Sequence, residues 1–310
     1  MEEYRRELEV HCYRMLGSLH EAEDLVQETY LKAWRARDGF DGRSSVRTWL
    51  YRIATNACLD ALKARPRRAL PVDLGPDEPA LWLEPIPDAV LNQAQAGPEA
   101  ALVAKEGVEL AFLAALQHLP PRQRAVLILR DVLEWPAAQT ATLLDMTVPA
   151  VNSALQRART SMPAPSKPAT AAEHEVARRY ADAFQRGDIP AMIRLLADDV
   201  RASMPPLRIW YRGRTAVEQA LRESRAALGE VRVRCTSANR RPAMVSHIRP
   251  PGETDWQPFA VAILHVTAGR ITEMVAFHDP AVVALFDGRE SPTADRRAGT
   301  RVAEGRNGHG

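Results

Sequence analysis

The sequence predicts a multidomain protein: two all-α helical domains, the second carrying a helix-turn-helix, and then an α+β domain. Three observations predict this. Apolar residues recur at helical spacing through the first half of the chain and alternate near its end. Prolines cluster at two joints, and WPAAQTATLLDMTVPAVNSALQRAR (135–159) reads as two short helices joined by a tight turn. At 310 residues the chain is too long for one ordinary domain. Seven of its 23 prolines fall between Pro66 and Pro98, which excludes long helices and implies an extended linker over 66–103. MPAPSKPAT (162–170) is a shorter joint, and the polar, Gly- and Arg-rich stretch 288–310 is expected to be disordered. The folded blocks are therefore 1–65, 104–162 and 172–287.

In the first block Leu8, Cys12, Met15 and Leu16 form an apolar stripe that stops at Gly17. A second helix, Glu21 to Ala36, carries Ala22, Leu25, Val26, Thr29, Tyr30, Ala33 and Trp34 on one side. An Asp/Gly/Ser turn (Asp38 to Ser45) precedes a long helix from about Val46 to Ala64. The middle block opens with Val108, Phe112, Ala115, Leu116 and Leu119 spaced for one helix face. Pro120-Pro121 breaks that helix, and Arg122 to Leu133 forms the next. The last block begins with a helix (Val176, Tyr180, Ala183, Phe184) ended by Gly187, then a short helix holding Met192, Leu195 and Leu196. Strands follow at VRVRCTS (231–237), PFAVAILHV and RITEMVAFH, the last two around the turn Ala268-Gly269.

The net charge of +2 announces no global basic field, so any nucleic-acid binding must come from local patches. Cys12, Cys58 and Cys235 lie far apart, which suits a reduced compartment. MEEYRRELEV lacks the apolar run of a signal peptide and no segment approaches a membrane span, so a cytoplasmic protein is expected. His247, His265 and His278 lack a tight ligand spacing, and there is no Gly-rich phosphate loop. Neither a metal, nor ATP, nor any other cofactor is expected.

The helix-turn-helix carries the first chemistry. Leu143 and Leu144 close its first helix and Asp145-Met146 make the turn. Thr147 caps the second helix through its hydroxyl, and Pro149 fits a first turn. Val148, Val151 and Leu155 should face inward, leaving Pro149, Ala150, Ser153, Gln156 and Arg157 outward, small at one end and basic at the other. Such a helix suits a DNA major groove, although any two-helix hairpin in a bundle shows the same inward stripe. In residues 22–62, Arg47, Arg52 and Lys63 are interleaved with Trp49, Tyr51 and Asn56. Cations beside rings and an amide suit an unstacked single strand, phosphates meeting arginines and bases meeting rings. The loop Gly39-Phe40-Asp41-Gly42-Arg43-Ser44-Ser45 offers backbone N–H groups and hydroxyls to a flipped base. The plainer alternative makes Trp49 core and the arginines a solvated face.

Taken in order, AEDLVQETYLKAW, GRSSVRTWLYRIATNACLD, LPPRQRAVLILRDVLEW and AVNSALQRAR resemble the bacterial RNA polymerase sigma factors of the extracytoplasmic-function group. The resemblance covers roughly residues 1–162. It implies promoter-specific transcription initiation, with core RNA polymerase (β′ clamp helices and β flap) and promoter DNA as partners, and no catalysis by the chain itself. It assigns polymerase binding to Asp24, Leu25, Val26, Gln27 and Glu28. The promoter −10 element falls to Phe40, Arg43, Ser44, Arg47, Trp49, Arg52 and Asn56. The −35 element falls to Thr147, Pro149, Ala150, Asn152, Ser153, Gln156 and Arg157. LWLEPIPD (81–88) resembles the tryptophan-proline segment of members with a C-terminal extension, on which the extension can dock. Only a short stretch precedes HCYRMLGS, so the family's first helix is expected to be truncated or to start upstream.

The last block resembles the SnoaL-like, ketosteroid-isomerase-like cone-shaped domain through ADAFQRGDIPAMIRLLADDV, WYRGRTAVEQAL and FAVAILHVTAGRITEMVAFHDP. That resemblance implies a pocket between a curved sheet and its helices, with Asp199, Trp210, Tyr211, His265 and His278 as candidate polar groups and a small apolar ligand as candidate occupant. Two expectations stand side by side for this domain: a built-in regulator of the DNA-reading domains, or a small-molecule-binding or isomerase-like enzyme fused to them. Isomerase chemistry needs a carboxylate base and an oxyanion donor converging on one ligand. A third reading makes the whole chain a helix-turn-helix regulator independent of polymerase.

Overall fold

The computed structural model describes residues 2–40, 42, 44–63, 67–69, 81–93, 108–163 and 168–288. The expectations for the 289–310 tail, for Arg43, and for the linker stretches 64–66, 70–80 and 94–107 fall outside the described residues.

Three helices build the first domain: α1 (Arg5–Leu16), α2 (Leu19–Ala36) and α3 (Val46–Lys63). The first two are separated by Gly17, at φ 75°, whose N–H returns to the Tyr13 carbonyl. Leu83 and Arg68 crowd the place where a Cβ would sit, so both the conformation and the space require glycine. Ser18 then caps α2, its hydroxyl accepting from the Glu21 N–H. Trp34, expected on the buried side of α2, is 59% exposed. The buried stripe is Ala22, Val26, Thr29 and Ala33, and position 34 lies one residue past it, rotated toward solvent.

The described parts of the linker, 67–69 and 81–93, are more ordered than an extended chain. β1 (Arg68–Ala69) pairs in parallel with β2 (Leu81–Trp82), and α4 (Asp88–Gln93) follows. Leu83, Ile86, Val90 and Leu91 are fully buried, because the apolar side chains of this segment join the core of the helical domains.

The middle domain comprises α5 (Leu110–His118), α6 (Pro121–Leu127, continued by a π-helical turn Ile128–Val132), α7 (Ala137–Leu144) and α8 (Val148–Thr160). Asp145, at φ 51°, turns the chain from α7 into α8, and the Thr147 hydroxyl accepts from the Ala150 N–H. Val148 is 39% exposed rather than inward. The buried stripe is Val151, Ala154, Leu155 and Ala158, the i, i+3, i+4, i+7 set, and Val148 at the first position lies beyond the end of the core.

The C-terminal domain opens with α9 (Ala171–Arg186), whose Thr170 and Glu173 form a reciprocal capping box, and α10 (Ile189–Arg194). Then come β3 (Leu196–Ser203), β4 (Trp210–Arg212), α11 (Arg214–Leu228), β5 (Glu230–Ala238), β6 (Arg241–Arg249), β7 (Gln257–Thr267), β8 (Arg270–Phe277) and α12 (Pro280–Asp287). Leu196, expected in a helix, begins β3. The six strands lie in the order β4-β3-β8-β7-β6-β5, antiparallel except for β3 against β8.

This sheet separates two hydrophobic cores. On one face Met244, Ala262, Leu264, Met274 and Ala276 pack with α9 and α11 as the interior of the cone. On the other, Val245, Val261, Ile263, Val275 and Phe277 pack with α12 into a core continuous with both helical domains and the linker. The alternation of a half-buried strand is thus used on both sides.

Candidate nucleic-acid interface and C-terminal cavity

On α2, Asp24, Gln27 and Glu28 are exposed, whereas Val26 is fully buried and Leu25 packs against the core. Val26 therefore offers no surface, because it belongs to the inward stripe. Leu31 (58% exposed) lies one helical repeat beyond Asp24, and Trp34 one beyond Gln27; the Arg37 guanidinium covers the Trp34 ring at 3.9 Å. The face is amphipathic rather than acidic alone.

A cleft of about 840 Å³ gathers Phe40, Ser44, Ser45, Thr48, Trp49 and Arg52 on one wall. The rings of Phe40 and Trp49 stand 4.9 Å apart, so Trp49 is half-buried and still presents an edge to the cleft. Asn56 lies exposed one turn beyond Arg52 on the same helix face. Arg47 is turned away. Its guanidinium bonds Glu7 of α1 at 2.7 Å and lies over the Tyr51 ring, whose hydroxyl donates to the same carboxylate. Of the residues predicted for one single-strand site, Phe40, Ser44, Trp49 and Arg52 converge on the cleft, Asn56 lies a turn outside it, and Arg47 serves the joint between α1 and α3.

The opposite wall of that cleft is α7, through Gln139, Thr142 and Leu143. Gln139 donates to the Thr48 hydroxyl at 3.0 Å, and Arg52 pairs with Asp145 at 3.4 Å. On α8, by contrast, Thr147, Pro149, Asn152, Ser153, Gln156 and Arg157 are exposed and Ala150 half-buried, forming one continuous outward strip. Arg157 donates to Ser153 at 2.7 Å, and Arg159 closes a two-point ion pair on Asp131.

The two helical domains share a core. Tyr51 of α3 stands between His11 of α1 (4.9 Å) and Trp135 (5.1 Å). His11 is fully buried with Nε2 on the Thr55 hydroxyl at 2.9 Å; burial, and secondarily the charge of Arg14, push its pKa down to about 3. Arg124 of α6 is buried and donates to the carbonyls of Met15, Gln117 and Leu119, tying the middle domain to the end of α1.

The C-terminal domain reaches the same junction through one turn. Asn239 and Arg240 join β5 to β6 with φ 49° and 61°, the geometry of a tight two-residue hairpin. The fully buried Asn239 amide donates to the Tyr13 hydroxyl at 2.9 Å and to the Val108 carbonyl; its oxygen accepts from the Ile86 N–H at 3.0 Å, and its own N–H donates to the Ile86 carbonyl. The Arg240 N–H donates to Asp88, and its side chain to Asn92. The linker adds Glu84, whose carboxylate accepts from the Leu19 N–H and the His20 ring at the start of α2. Asn239 and Arg124 were not singled out from sequence; an Asn-Arg turn and an arginine inside RAVLIL were the available signals.

The five candidate polar groups of the cone do not converge. Tyr211 and His278 line an interior cavity of about 270 Å³, with Phe184, Met244, Ala262 and Met274 among its walls. Asp199 is exposed on β3, because its neighbour Val200 takes the inward position. Trp210 is 52% exposed on β4, beside Tyr211. His265 faces the other side, lining a cleft between α5 and the sheet with Arg201, Glu273 and His118. Among the described residues no Asp or Glu lines the interior cavity, and no group of three or more His, Cys, Asp or Glu is arranged for a metal. No described helix is long and apolar enough to cross a membrane.

Comparison with known proteins matches three stretches to family models: Sigma-70 region 2 over residues 1–68, Sigma-70, region 4 over 109–162, and a SnoaL-like domain over 177–274. The ECF RNA polymerase sigma factor SigG of Mycobacterium tuberculosis is 43% identical over 306 residues, covering 92% of this chain and 82% of that protein. SigW of Bacillus subtilis is 33% identical over 153 residues, covering 49% of this chain and 78% of the relative. The crystal structure of the Mycobacterium tuberculosis extracytoplasmic function sigma factor SigJ superposes with a TM-score of 0.61 at 22% identity, covering 91% of this chain and 96% of that one. The likeness in fold therefore runs through both helical domains and the sheet.

Proposed function

We propose, from the premise that this chain belongs to the extracytoplasmic-function sigma factors of RNA polymerase, that its C-terminal domain is a built-in clamp on the two DNA-reading domains. As a member of that family the protein binds core RNA polymerase and directs promoter-specific transcription initiation. The exposed side chains Asp24, Gln27, Glu28, Leu31 and Trp34 form the surface for the polymerase β′ clamp helices, and the middle domain meets the β flap. Phe40, Trp49, Arg52 and Asn56, with Arg43 and Ser44 of the preceding loop, take the melted −10 strand. The outward strip of α8, from Thr147 to Arg157, takes the −35 duplex.

The observation that carries the clamp is Asn239. One buried amide from the C-terminal domain holds α1, the linker and the start of α5 together, while α7 stands across the cleft from Trp49 and Arg52. Burying an amide is favourable only when its partners are present, so this junction is all-or-none. Asn239→Asp replaces a donor by an acceptor opposite the Val108 carbonyl. It should raise run-off transcription from a cognate promoter severalfold while co-purification with core enzyme persists. Unchanged or lower output from this variant would remove the clamp.

The cone cavity supports a second role, binding of a small apolar ligand. The walls are mostly apolar and Asp199 and His265 point elsewhere, which supports a binding module over an isomerase. Turnover of an apolar ketone that disappears with Asp199→Asn would restore the enzyme reading.

A further inference from the structure

The cone cavity holds one unmet chemical demand. His278 lines it, and burial pushes the ring's pKa down against the opposing effect of a hydrogen bond to the Phe259 backbone, so the imidazole is neutral. That bond raises the pKa, as a ring N–H donating to a carbonyl does, and Nε2 is buried without a partner. The N–H therefore sits at Nδ1, and Nε2 keeps a bare lone pair. Phe259 also meets the ring edge-on at 4.7 Å, fixing its plane. Two of the five hydroxyls on the wall are engaged, Ser224 donating to the Ala220 carbonyl and Ser246 to the Ala260 carbonyl, and those of Tyr180, Ser203 and Tyr211 complete its polar groups.

The rest of the wall defines the body of the ligand. Phe184, Met204, Leu221, Met244, Phe259 and Met274 surround the space, and no charged group among the described residues lines it, so an ionic ligand would lie there unpaired. A volume of about 270 Å³ lies just below the usual range of about 300–1,000 Å³ for ligand pockets and suits no more than one or two fused rings. The surface beside it is apolar as well. Of the seven exposed large apolar side chains among the described residues, Leu207, Ile209 and Trp210 fall in one segment, and Ile209 also lines the cavity. A concentration of this kind marks a route or docking edge rather than chance exposure.

We propose that the cone is a receptor site for a neutral hydroxylated aromatic molecule, a phenol or naphthol, whose hydroxyl donates to His278 Nε2. This deepens the ligand-binding role proposed above and rests on the clamp reading only for its consequence. His278 is followed by Asp279, whose carboxylate caps α12, and α12 lies on the sheet face that shares a core with the helical domains. Occupancy is thereby read one residue away from the docking surface.

Calorimetric titration of the full-length protein with 2-naphthol and with 2-methoxynaphthalene tests the site without reference to transcription. The two probes share the ring system, and one lacks the donor. 2-Naphthol should bind at least tenfold more tightly than the ether. His278→Leu should abolish that preference, and Ala262→Phe, which fills the cavity, should weaken both probes. Equal affinities in the wild-type protein, no binding of either probe, or a preference that survives His278→Leu would overturn the proposal. The wild-type pair needs no variant to fold. A silent Asn239→Asp in run-off transcription would sink the clamp and leave this titration standing.

Discussion

The two helices assigned to DNA meet their surroundings differently. The outward face of α3, with Trp49 and Arg52, looks across a cleft at α7, and Gln139 and Asp145 already bond to it. The outward strip of α8 faces solvent from Thr147 to Arg157. On the proposed roles, this arrangement covers the face for the single strand and leaves the face for the duplex free. Magnitudes identify what maintains it. The exposed Arg52–Asp145 pair contributes about 0–1 kcal/mol. Burying a large aromatic such as Trp135 against Tyr51 contributes about 2–3 kcal/mol, and hydrogen bonds to a buried charge about 1.5–3 kcal/mol each. The cover over α3 is held from beneath, by the shared core and Arg124, and the visible pair across the cleft only trims it.

Three changes would break or sharpen this contrast. The largest is Arg124→Leu, which leaves the carbonyls of Met15, Gln117 and Leu119 without their donor. Chemical denaturation should show a loss of about 3 kcal/mol or more. Affinity for a −10 single strand should rise, with that for a −35 duplex unchanged. Equal changes at both sites would show that the two faces are not differently guarded.

Acid provides the intermediate effect. The His11 pKa is lowered from 6.5 in the unfolded chain to about 3 in the fold. As pH falls below 6.5 the unfolded state takes up a proton that the native state refuses, so stability is lost progressively down to about pH 3. At about 1.4 kcal/mol per pH unit, the wild type at pH 5 should have lost about 2 kcal/mol relative to His11→Gln, each referred to its own stability at pH 7. Parallel pH profiles would exclude His11 as the acid-sensitive post of the shared core.

The smallest change is Asp145→Asn. Asparagine tolerates the left-handed backbone at this turn, so the helix-turn-helix persists while the ion pair to Arg52 disappears. Stability should change by less than about 1 kcal/mol, and affinity for a −10 strand should rise by no more than about fivefold. A larger gain measured by fluorescence anisotropy would promote the surface pair to the principal latch.

Much of this was legible in the chain itself. Thr147 and Pro149 announce the start of α8, Gly17 and Gly187 end helices, and the alternation in PFAVAILHV marks a strand, because each of these signals is local. The failures share a cause. Trp34 is one position off a buried stripe and Val148 lies on its stripe but past the end of the core, and a hydrophobic residue on the surface looks the same in sequence as one in the core. β3 reads LADDVRAS and was hidden by its acidic pair, which faces solvent beside the buried Leu196 and Val200. Arg47 belongs with the cations in sequence, but its partner Glu7 is 40 residues away. Asn239 bonds Tyr13 across 226 residues, and periodicity carries no information about such a meeting. Of the cone candidates, Tyr211 and His278 reach the cavity while Asp199 and His265 do not, because their neighbours Val200 and Leu264 take the cone side of the strands.

Strand β7 alternates Ala260, Ala262 and Leu264 on the cone side with Val261 and Ile263 on the docking side. Two messages are therefore interleaved in one line of text, one facing the cone cavity and the other the rest of the chain. Substitutions at the even positions can reshape the cavity without rewriting how the domain seats on its neighbours. Insertion or deletion of a single residue would exchange the two messages at once. Sequence drift in this strand should thus proceed by replacement and almost never by a change in length.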